Sequence, residues 1–338
     1  MTTFKELRGT AIQAVSSDPS NPEIGQIWYN SSSGTLKGYV FANVNSWSAG
    51  GNYPFSVTES GGTGTQTAAL TFGGNNGTVF QSATASYNGT SWTALPAGLN
   101  TARSQVGSAG TQTSALCIAG ANGPSNTRTD SESWNGSSWT NTPSLNTGRR
   151  GIGGTGASNT SALAFGGTIS TGPTSASESY NGTSWTNTSS LNTPRRQLAS
   201  AQNGTQTAAL AMSGATGPTE TKTTAVESWN GSAWTSVTSC STARYGGMGF
   251  GIQTAAVICG GDSGSPPATS VTTQTELYNG TSWTTSSTGL STGRYNGSGT
   301  GLSSAGLLTG GSTNPGAAVN STEEWTGSVF QTKTITVS

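Results

Sequence analysis

An eight-residue motif recurs along the chain and constrains its fold more than any other feature. The first copy, residues 86–93, is Ser-Tyr-Asn-Gly-Thr-Ser-Trp-Thr, in which an aromatic residue precedes an Asn-Gly pair and a Trp follows it. This pattern predicts a β-hairpin with a two-residue type I′ turn, with the aromatic residues of both strands packed on one face. The later copies are residues 133–140, 179–186, 228–235, 277–284 and, in altered form, 324–330.

The asparagines of successive Asn-Gly pairs are 46 to 49 residues apart, which is the length of one blade of a β-propeller. We therefore expect the Trp of each copy to take an equivalent place within or between blades, with Phe330 in that place in the last copy. The tryptophans are Trp92, Trp139, Trp185, Trp234 and Trp283.

Each hairpin follows two further segments that also repeat. Residues 65–74, Thr-Gln-Thr-Ala-Ala-Leu-Thr-Phe-Gly-Gly, form a run of small and apolar residues that ends in a diglycine, and later repeats share this run. In five of the repeats a Thr-x-Arg precedes the run. One repeat therefore contains four predicted antiparallel strands in about 47 residues, as a propeller blade does.

The order of arginine, diglycine, aromatic residue and Trp resembles that of kelch repeats. The departures are a closer spacing of the last two residues, and Ala119-Gly120 and Ser213-Gly214 in place of two diglycines. The resemblance implies an all-β, kelch-like β-propeller of six four-stranded blades over residues 49–338. The expected blades are residues 49–97, 98–144, 145–190, 191–239, 240–288 and 289–338.

Residues 1–48 lack the repeat, and we expect a short N-terminal attachment segment there. Residues 26–30 and 35–41, separated by Ser-Ser-Ser-Gly, predict a hairpin. An alternative architecture has seven blades, one of them a partial blade built from residues 26–48. Two segments are candidates for the strand that completes the last blade. They are residues 39–48, in which Asn-Ser-Trp resembles the Thr-Ser-Trp of the first hairpin, and residues 328–337.

The composition excludes several classes of function. Charged residues make up 8% of the chain, with 13 basic and 13 acidic, so no basic surface for nucleic acid is expected. No run of 18 apolar residues predicts membrane insertion. The three cysteines lack the spacing of metal ligands, and Cys117 and Cys259 lie in predicted apolar strands as core residues. We expect neither a metal nor a cofactor.

Repeats two to six each carry one arginine and one glutamate, whereas the first repeat has neither and has Ala85 at the glutamate position. Because the two charges occur together, a buried structural ion pair is the favoured interpretation. The alternative is a ring of arginines that binds an anion at the mouth of the central channel. The residues are Arg103 with Glu132, Arg149 with Glu178, Arg195 with Glu227, Arg244 with Glu276, and Arg294 with Glu323.

No enzymatic activity is expected of this chain. It has no histidine, which removes the commonest general base, the usual partner of a serine nucleophile and the commonest metal ligand. No phosphate-binding loop or acidic metal loop is present in the sequence.

A binding site is expected on one face of the propeller. By strand parity, the loops after the second and fourth strands share that face, and the loops after the second strand vary in length, as recognition loops on a fixed scaffold do. Tyr245 and Tyr295 are expected near the same face. The variable loops are Asn75–Thr84, Ala121–Ser131, Thr168–Ser177, Ala215–Val226, Asp262–Thr275 and Ser312–Thr322.

The opening of the chain carries a second resemblance. Three motifs follow one another there: Gly-Thr-x-Ile-Gln-x-Val-Ser-Ser-Asp-Pro at residues 9–19, Gly-Gln-Ile-Trp-Tyr-Asn at 25–30 and Gly-Thr-Leu-Lys-Gly-Tyr at 34–39. Together they resemble the start of kelch-like virion proteins of tailed phages, especially marine and cyanobacterial ones. The ending Lys-Thr-Ile-Thr-Val, residues 333–337, is similar to their carboxyl termini.

The phage resemblance implies a multi-copy, tail- or fibre-associated structural protein of the virion. Such a protein is assembled in the host cytoplasm, released by lysis and joined to other virion proteins through its N-terminal segment. One alternative is a non-enzymatic receptor-binding module for host surface carbohydrate. A second alternative is a cell-surface lectin or adhesin.

Overall fold

The structure is a computed structural model that describes residues 12–23, 25–42, 45–264, 270–314 and 316–335. The chain divides into two compact units. The larger unit is Asn45–Thr326, and the smaller unit combines Met1–Val44 with Gly327–Ser338. The predicted attachment residues 1–11 lie outside the described residues. Within the described ranges no helix is long and apolar enough to cross a bilayer.

The described residues form β-strands joined by turns, numbered here in chain order. The first four are β1 (Gln13–Val15), β2 (Ile27–Asn30), β3 (Thr35–Ala42) and β4 (Ser46–Ala49). The next eight are β5 (Gly61–Thr65), β6 (Ala68–Phe72), β7 (Thr84–Tyr87), β8 (Trp92–Leu95), β9 (Gly107–Gly110), β10 (Ala115–Ile118), β11 (Ser131–Trp134) and β12 (Trp139–Thr142).

The middle of the chain adds two short hairpins to the regular pattern. The strands there are β13 (Gly153–Ser158), β14 (Ser161–Phe165), β15 (Thr168–Ile169), β16 (Gly172–Pro173), β17 (Ser177–Tyr180), β18 (Trp185–Thr188), β19 (Ala199–Ser200), β20 (Ala209–Met212), β21 (Ala215–Thr216), β22 (Thr221–Lys222), β23 (Val226–Trp229) and β24 (Trp234–Val237). The last are β25 (Met248–Ile252), β26 (Ala255–Cys259), β27 (Thr275–Tyr278), β28 (Trp283–Thr285), β29 (Ser298–Leu302), β30 (Ala305–Thr309), β31 (Thr322–Thr326) and β32 (Val329–Thr334).

The larger unit consists of four-stranded antiparallel sheets, one for each sequence repeat, and its architecture is propeller-like. In strand order, sheets 1 to 6 are β5-β6-β7-β8, β9-β10-β11-β12, β13-β14-β17-β18, β19-β20-β23-β24, β25-β26-β27-β28 and β29-β30-β31-β4. The first strands of the sheets contact one another in cyclic order, because β5 contacts β9 and so on around to β29, which contacts β5. The hairpins β15–β16 and β21–β22 lie in the loops after the second strand of sheets 3 and 4.

The structure differs from the predicted boundaries at both ends of the repeat unit. Residues 46–49 supply the fourth strand of sheet 6, with Trp47 opposite Trp325. Residues 329–334 instead pair with β3 in the smaller unit. Trp47, and not Phe330, therefore takes the place of the outer-strand tryptophan. The similarity of residues 45–47 to the first hairpin was the correct indication, because a Trp in that place packs against a large aromatic residue of the third strand.

The Asn-Gly hairpins form, but the predicted two-residue type I′ turn is wrong. Tyr87 pairs with Trp92, so the loop has four residues. Within it the Asn88 side chain accepts hydrogen bonds from the backbone N–H groups of Thr90 (3.0 Å) and Ser91 (2.9 Å), and Gly89 has φ of +91°. The asparagine thus stabilises the loop with its side chain, in the manner of an Asx turn. The other hairpins, after Asn135, Asn181, Asn230 and Asn279, repeat these bonds.

The diglycines are explained by backbone conformation and by contacts between sheets. Both residues of every such pair have positive φ, including Ala119 (+53°) and Ser213 (+57°), which replace the first glycine in two repeats. The second residue donates its N–H to the carbonyl of the next repeat's arginine, as Gly120 does to Arg149 at 2.9 Å. Gly311 closes the cycle by donating to Val57, which occupies the arginine position of the first repeat.

The Thr-Gln-Thr turns also join neighbouring sheets. Gln112 Nε2 donates to the carbonyls of Ala69 (3.1 Å) and Tyr87 (2.8 Å), both in sheet 1. Gln66 in turn donates to the carbonyl of Trp325 in sheet 6, at 2.9 Å. Because each glutamine satisfies a carbonyl of the preceding repeat, the turn sequence repeats for a structural reason.

The smaller unit is a four-stranded sheet of order β1-β2-β3-β32, in which β1 and β2 are parallel. The predicted hairpin of residues 26–41 corresponds to β2 and β3. Asp18 accepts hydrogen bonds from the Trp28 indole (3.0 Å) and the Asn30 amide (2.7 Å), and it lies 2.7 Å from Lys37 Nζ. The hydrogen bond from Lys37, followed by those from Asn30 and Trp28, lowers the pKa of Asp18 to about 2.

Truncation of Trp47 tests the assignment of β4 to sheet 6. Trp47 lies 5.2 Å from Trp325 between ring centroids and donates its indole N–H to Thr275 of sheet 5, at 2.9 Å. We expect Trp47→Ala to lower the free energy of unfolding by about 3 kcal/mol, close to the effect of Trp185→Ala, because both remove packed aromatic area. Urea unfolding measures both. The exposed Val79→Ala is the control, with an expected change of about 0.5 kcal/mol or less. A near-neutral Trp47→Ala would contradict the assignment.

Candidate functional site at the centre of the larger unit

Six residues, one from each repeat, surround the axis of the larger unit in a closed cycle of backbone hydrogen bonds. Each lies just before the first strand of its sheet and donates its N–H to the carbonyl of the equivalent residue in the preceding repeat, at 2.6 to 3.0 Å. Glu59 closes the cycle by donating to Asn296. This axial ring consists of Glu59, Gln105, Gly151, Gln197, Gly246 and Asn296.

Every residue of the axial ring has a left-handed backbone, with φ between +47° and +62°. Four of them are not glycine, and such residues concentrate at functional sites because the conformation costs free energy. The two glycines leave room for neighbouring side chains, since a Cβ on Gly246 would overlap Asn296 Oδ1. The ring therefore combines a shared backbone conformation with side chains that differ from one repeat to the next.

A second set of side chains lies immediately outside the ring on the face of the variable loops. These residues directly precede the ring residues, and each is bridged to the residue after a diglycine, where the variable loop begins. They are Thr58, Ser104, Arg150, Arg196, Tyr245 and Tyr295. The predicted placement of Tyr245 and Tyr295 near the loop face agrees with these bridges. Residues 265–269 and 315 of the variable loops lie outside the described residues.

Glu59 is the acidic member of the ring. Its carboxylate accepts hydrogen bonds from Ser104 Oγ and Gln105 Nε2, both at 2.9 Å. Burial raises the pKa of Glu59, and these hydrogen bonds together with the nearby Arg150 oppose the rise. The carboxylate is thus a fixed hydrogen-bond acceptor at the axis.

The axial mouth is defined here as the axial ring together with the six residues that directly precede it. The charges around this mouth are balanced. Arg196 pairs with Glu220 at 3.0 Å, and the electrostatic influence of Arg150 reaches Glu59. Burial raises the pKa of Tyr245 to about 12, and the nearby Glu220 acts in the same direction. Lys222 pairs at 2.9 Å with Asp262, the residue bridged to Tyr245. Three cationic and three anionic side chains in this area leave no strong net field for a charged ligand.

A cavity of about 80 Å³ lies on the axis between the ring and the opposite end of the first strands, and all six repeats line it. Its walls are mainly glycine, serine and small apolar residues. One water molecule needs about 10–15 Å³ of cavity volume, so this cavity holds several water molecules.

Two residues of the fourth repeat cross the axis beneath the cavity. Asn203 donates through its amide to the Gly64 carbonyl (2.8 Å) and accepts from the Gly301 N–H (3.0 Å), while its own N–H donates to Gly251 (2.9 Å). The Gln202 amide lies 3.1 Å from Ser108 Oγ. This Gln202–Asn203 crossing joins repeat 4 to repeats 1, 2, 5 and 6 and makes the cavity blind at that end.

Sequence reasoning missed both the axial ring and the crossing. The ring residues share a backbone conformation but no residue type, so the repeat pattern does not reveal them. The crossing did leave a sequence trace. Between the first strand and the Thr-Gln-Thr turn, repeat 4 has Ser-Ala-Gln-Asn-Gly where repeat 2 has Ser-Ala-Gly, an insertion of two residues.

Three polar atoms at the cavity have no hydrogen-bond partner within the described residues. They are Ser60 Oγ and, from the axial ring, Gln197 Nε2 and Asn296 Oδ1. Buried polar atoms are nearly always paired in folded proteins. These three atoms are therefore available to water or to a ligand in the cavity.

The predicted charge pairs form inside sheets 2 to 6 and not at the mouth. Each arginine contacts the glutamate of its own repeat, and all ten side chains are buried. Arg149 Nη2 is 2.9 Å from Glu178 Oε1, and the same contact measures 2.8 Å for Arg195 and 2.7 Å for Arg294. The pairs are Arg103–Glu132, Arg149–Glu178, Arg195–Glu227, Arg244–Glu276 and Arg294–Glu323. The alternative of an anion-binding arginine ring is therefore excluded.

Each ion pair also satisfies backbone groups. Glu178 accepts hydrogen bonds from the N–H groups of Asn146 (2.7 Å) and Thr147 (3.4 Å) in the loop before the first strand. Arg149 donates to the carbonyls of Gly166 (3.2 Å) and Ala176. Burial lowers the pKa of Arg149, and the charge of Glu178 opposes this. The pair thus fastens the incoming loop to the second and third strands.

The first repeat replaces the ion pair by apolar packing. Val57 stands at the arginine position, and it shares a buried cluster with Tyr53 and Ala85. The Phe55 and Trp92 rings pack against this cluster. Equivalent positions in the repeats are therefore filled by an ion pair in five repeats and by apolar residues in the first.

The outer-strand tryptophans occupy equivalent places. Each lies opposite the aromatic residue of the third strand and donates its indole N–H to the preceding repeat, as Trp139 does to Thr84 at 3.0 Å. Trp92 bridges sheets 1 and 6 by donating to Thr322, also at 3.0 Å. The three cysteines are buried and unpaired as thiols. Within the described ranges no group of three or more Cys, Asp or Glu residues is arranged to hold a metal ion.

A double-mutant cycle tests the structural role of the ion pairs. We expect Arg149→Val and Glu178→Ala each to lower the free energy of unfolding by about 3–5 kcal/mol, because each leaves a buried charge unpaired. The double variant reproduces the Val57 and Ala85 of the first repeat and should cost clearly less than the sum.

Denaturant unfolding of the three variants gives the cycle, with Arg150→Val, at a half-buried arginine next in sequence, as the control. The control should change stability by about 1 kcal/mol or less. Additive losses in the double variant would contradict a coupled pair.

Comparison with known proteins supports the fold alone. No family model matches the chain, and no curated protein matches it. A solved structure of YjhT is similar, with a TM-score of 0.67 and 16% sequence identity, and the match covers 84% of this chain and 100% of that one. At this identity the similarity establishes a shared all-β, propeller-like architecture.

Proposed function

We propose that this chain is a non-enzymatic recognition module of a tailed-phage particle. In this proposal the larger unit is a closed, six-bladed, kelch-like β-propeller that presents its axial mouth to carbohydrate on a host surface. The smaller unit, which contains the N-terminal segment, joins the module to other virion proteins, with several copies on the particle.

The geometry of the axial mouth is the observation that supports a role in recognition. The cavity with its three unpaired polar atoms lies next to the axial ring, and the half-buried Tyr245 and Tyr295 directly precede two ring residues and are bridged to the start of variable loops. Ligand sites are typically concave and combine aromatic surface with a few placed polar groups.

The assignment to a virion rests on different evidence. It follows from the resemblance of residues 9–39 and 333–337 to kelch-like phage proteins, and it is independent of the mouth. A purely structural role and a cell-surface lectin share the same fold, so binding measurements and localisation measurements decide separately between these roles.

Glycan-array binding of the full chain tests the recognition role. We expect binding to a limited set of glycans, and a loss of at least tenfold in affinity for Tyr245→Ala and for Tyr295→Ala. A tenfold change corresponds to about 1.4 kcal/mol, which is in the range of one lost aromatic contact. Tyr29→Ala, at a 41% exposed tyrosine of the smaller unit, is the matched control and should bind as the unmodified chain does.

The array has two outcomes that contradict the proposal. Absence of any glycan binding would leave the structural role of a spacer or tail component. Binding that both mouth variants retain in full would place recognition elsewhere on the chain.

A further inference from the structure

We infer that the axial cavity receives the terminal sugar of an uncharged glycan end-on, with a hydroxyl-bearing exocyclic arm inserted into the cavity. This inference rests on the proposed carbohydrate-binding function and adds the ligand class and the mode of binding. It follows from four properties of the cavity: its blind end, its volume, its polar atoms and the charges around it.

The blind end excludes a chain that passes through the axis. Asn203 and Gln202 are held by hydrogen bonds to four other repeats, so opening that end would break several bonds at once. On the ring side, Ser60 Oγ, Gln197 Nε2 and Asn296 Oδ1 have no partner within the described residues. A ligand therefore enters from the ring side, and only its end reaches the cavity.

The volume limits how much of a ligand fits. A cavity of about 80 Å³ is far below the roughly 300 Å³ at which pockets for whole drug-sized molecules begin. It accommodates a few non-hydrogen atoms, such as a hydroxymethyl arm. The sugar ring itself then lies above the axial ring, where Tyr245 and Tyr295 offer aromatic surface.

The polar atoms match a hydroxyl group. Asn296 Oδ1 and the Glu59 carboxylate accept hydrogen bonds, Gln197 Nε2 donates them, and Ser60 Oγ does both. A hydroxyl group also donates and accepts, so one arm matches this mixed set of atoms. An anionic arm would place its charge beside the acceptor oxygens of Glu59 and Asn296. The Arg196 charge is already paired with Glu220 at 3.0 Å, and the Arg150 charge acts on Glu59.

Binding of matched monosaccharides to the full chain tests the inference. The probes are the methyl glycosides of glucose, galactose, mannose and N-acetylglucosamine, each with its 6-deoxy and 6-carboxylate counterpart, measured by saturation-transfer NMR and calorimetry. We expect at least one parent glycoside to bind, and its two counterparts to bind at least tenfold more weakly. Ser60→Ala should weaken the parent about tenfold and leave the 6-deoxy counterpart unchanged, because only the parent carries the hydroxyl that reaches Ser60. Ser91→Ala, at an exposed hairpin serine, is the control.

The outcomes separate this inference from the proposed function. Suppose that array binding depends on Tyr245, but that the parent and 6-deoxy sugars bind equally well or the 6-carboxylate binds more strongly. This result contradicts insertion of a hydroxyl-bearing arm and still supports carbohydrate recognition. Array binding with no binding of any methyl glycoside also overturns it, because the terminal residue alone would then not be what is recognised. Absence of all glycan binding overturns both.

Discussion

The closed cycle of six backbone hydrogen bonds at the axis is the constraint on which the rest of the larger unit depends. Each repeat contributes one residue with a left-handed backbone that donates to the repeat before it, and Glu59 joins the first repeat to the last through Asn296. Such a cycle forms only when all repeats are present and in register. The outer contacts follow the same cycle, since diglycine amides, turn glutamines and tryptophan indoles each bind a neighbouring repeat.

The closed cycle also explains why each repeat needs a buried ion pair or an apolar cluster next to its ring residue. The buried ion pair is internal to one sheet and holds the loop that leads to the axis, so it sets the position of the ring residue two places later. Arg149 and Gly151 show this spacing, as do Val57 and Glu59 in the repeat that lacks the pair. In the first repeat an apolar cluster holds this loop in place of the ion pair. This agrees with the general finding that well-packed apolar residues replace buried ion pairs at little cost in stability.

Much of this arrangement could be predicted from the sequence, because repeated features recur at a fixed spacing along the chain. The strands, the arginine–glutamate pairs and the equivalence of the tryptophans belong to this class. The four-residue hairpin loop was not accessible, since Asn-Gly also suits a shorter turn and the decisive Asn88 side-chain bonds appear only in three dimensions. The Gln202–Asn203 crossing and the ring residues were not predicted because they lie where the repeats differ, and similarity between repeats does not reveal such positions.

Amide hydrogen exchange of the axial ring tests the central claim most directly. If the cycle is closed, the N–H groups of all six ring residues exchange slowly and at similar rates, because opening any one bond disturbs its neighbours. The amide of Gly89, in an exposed hairpin loop, is the fast-exchanging reference. Fast exchange at Glu59 or at any other ring residue, at a rate close to that of Gly89, would show an open ring and would contradict the account.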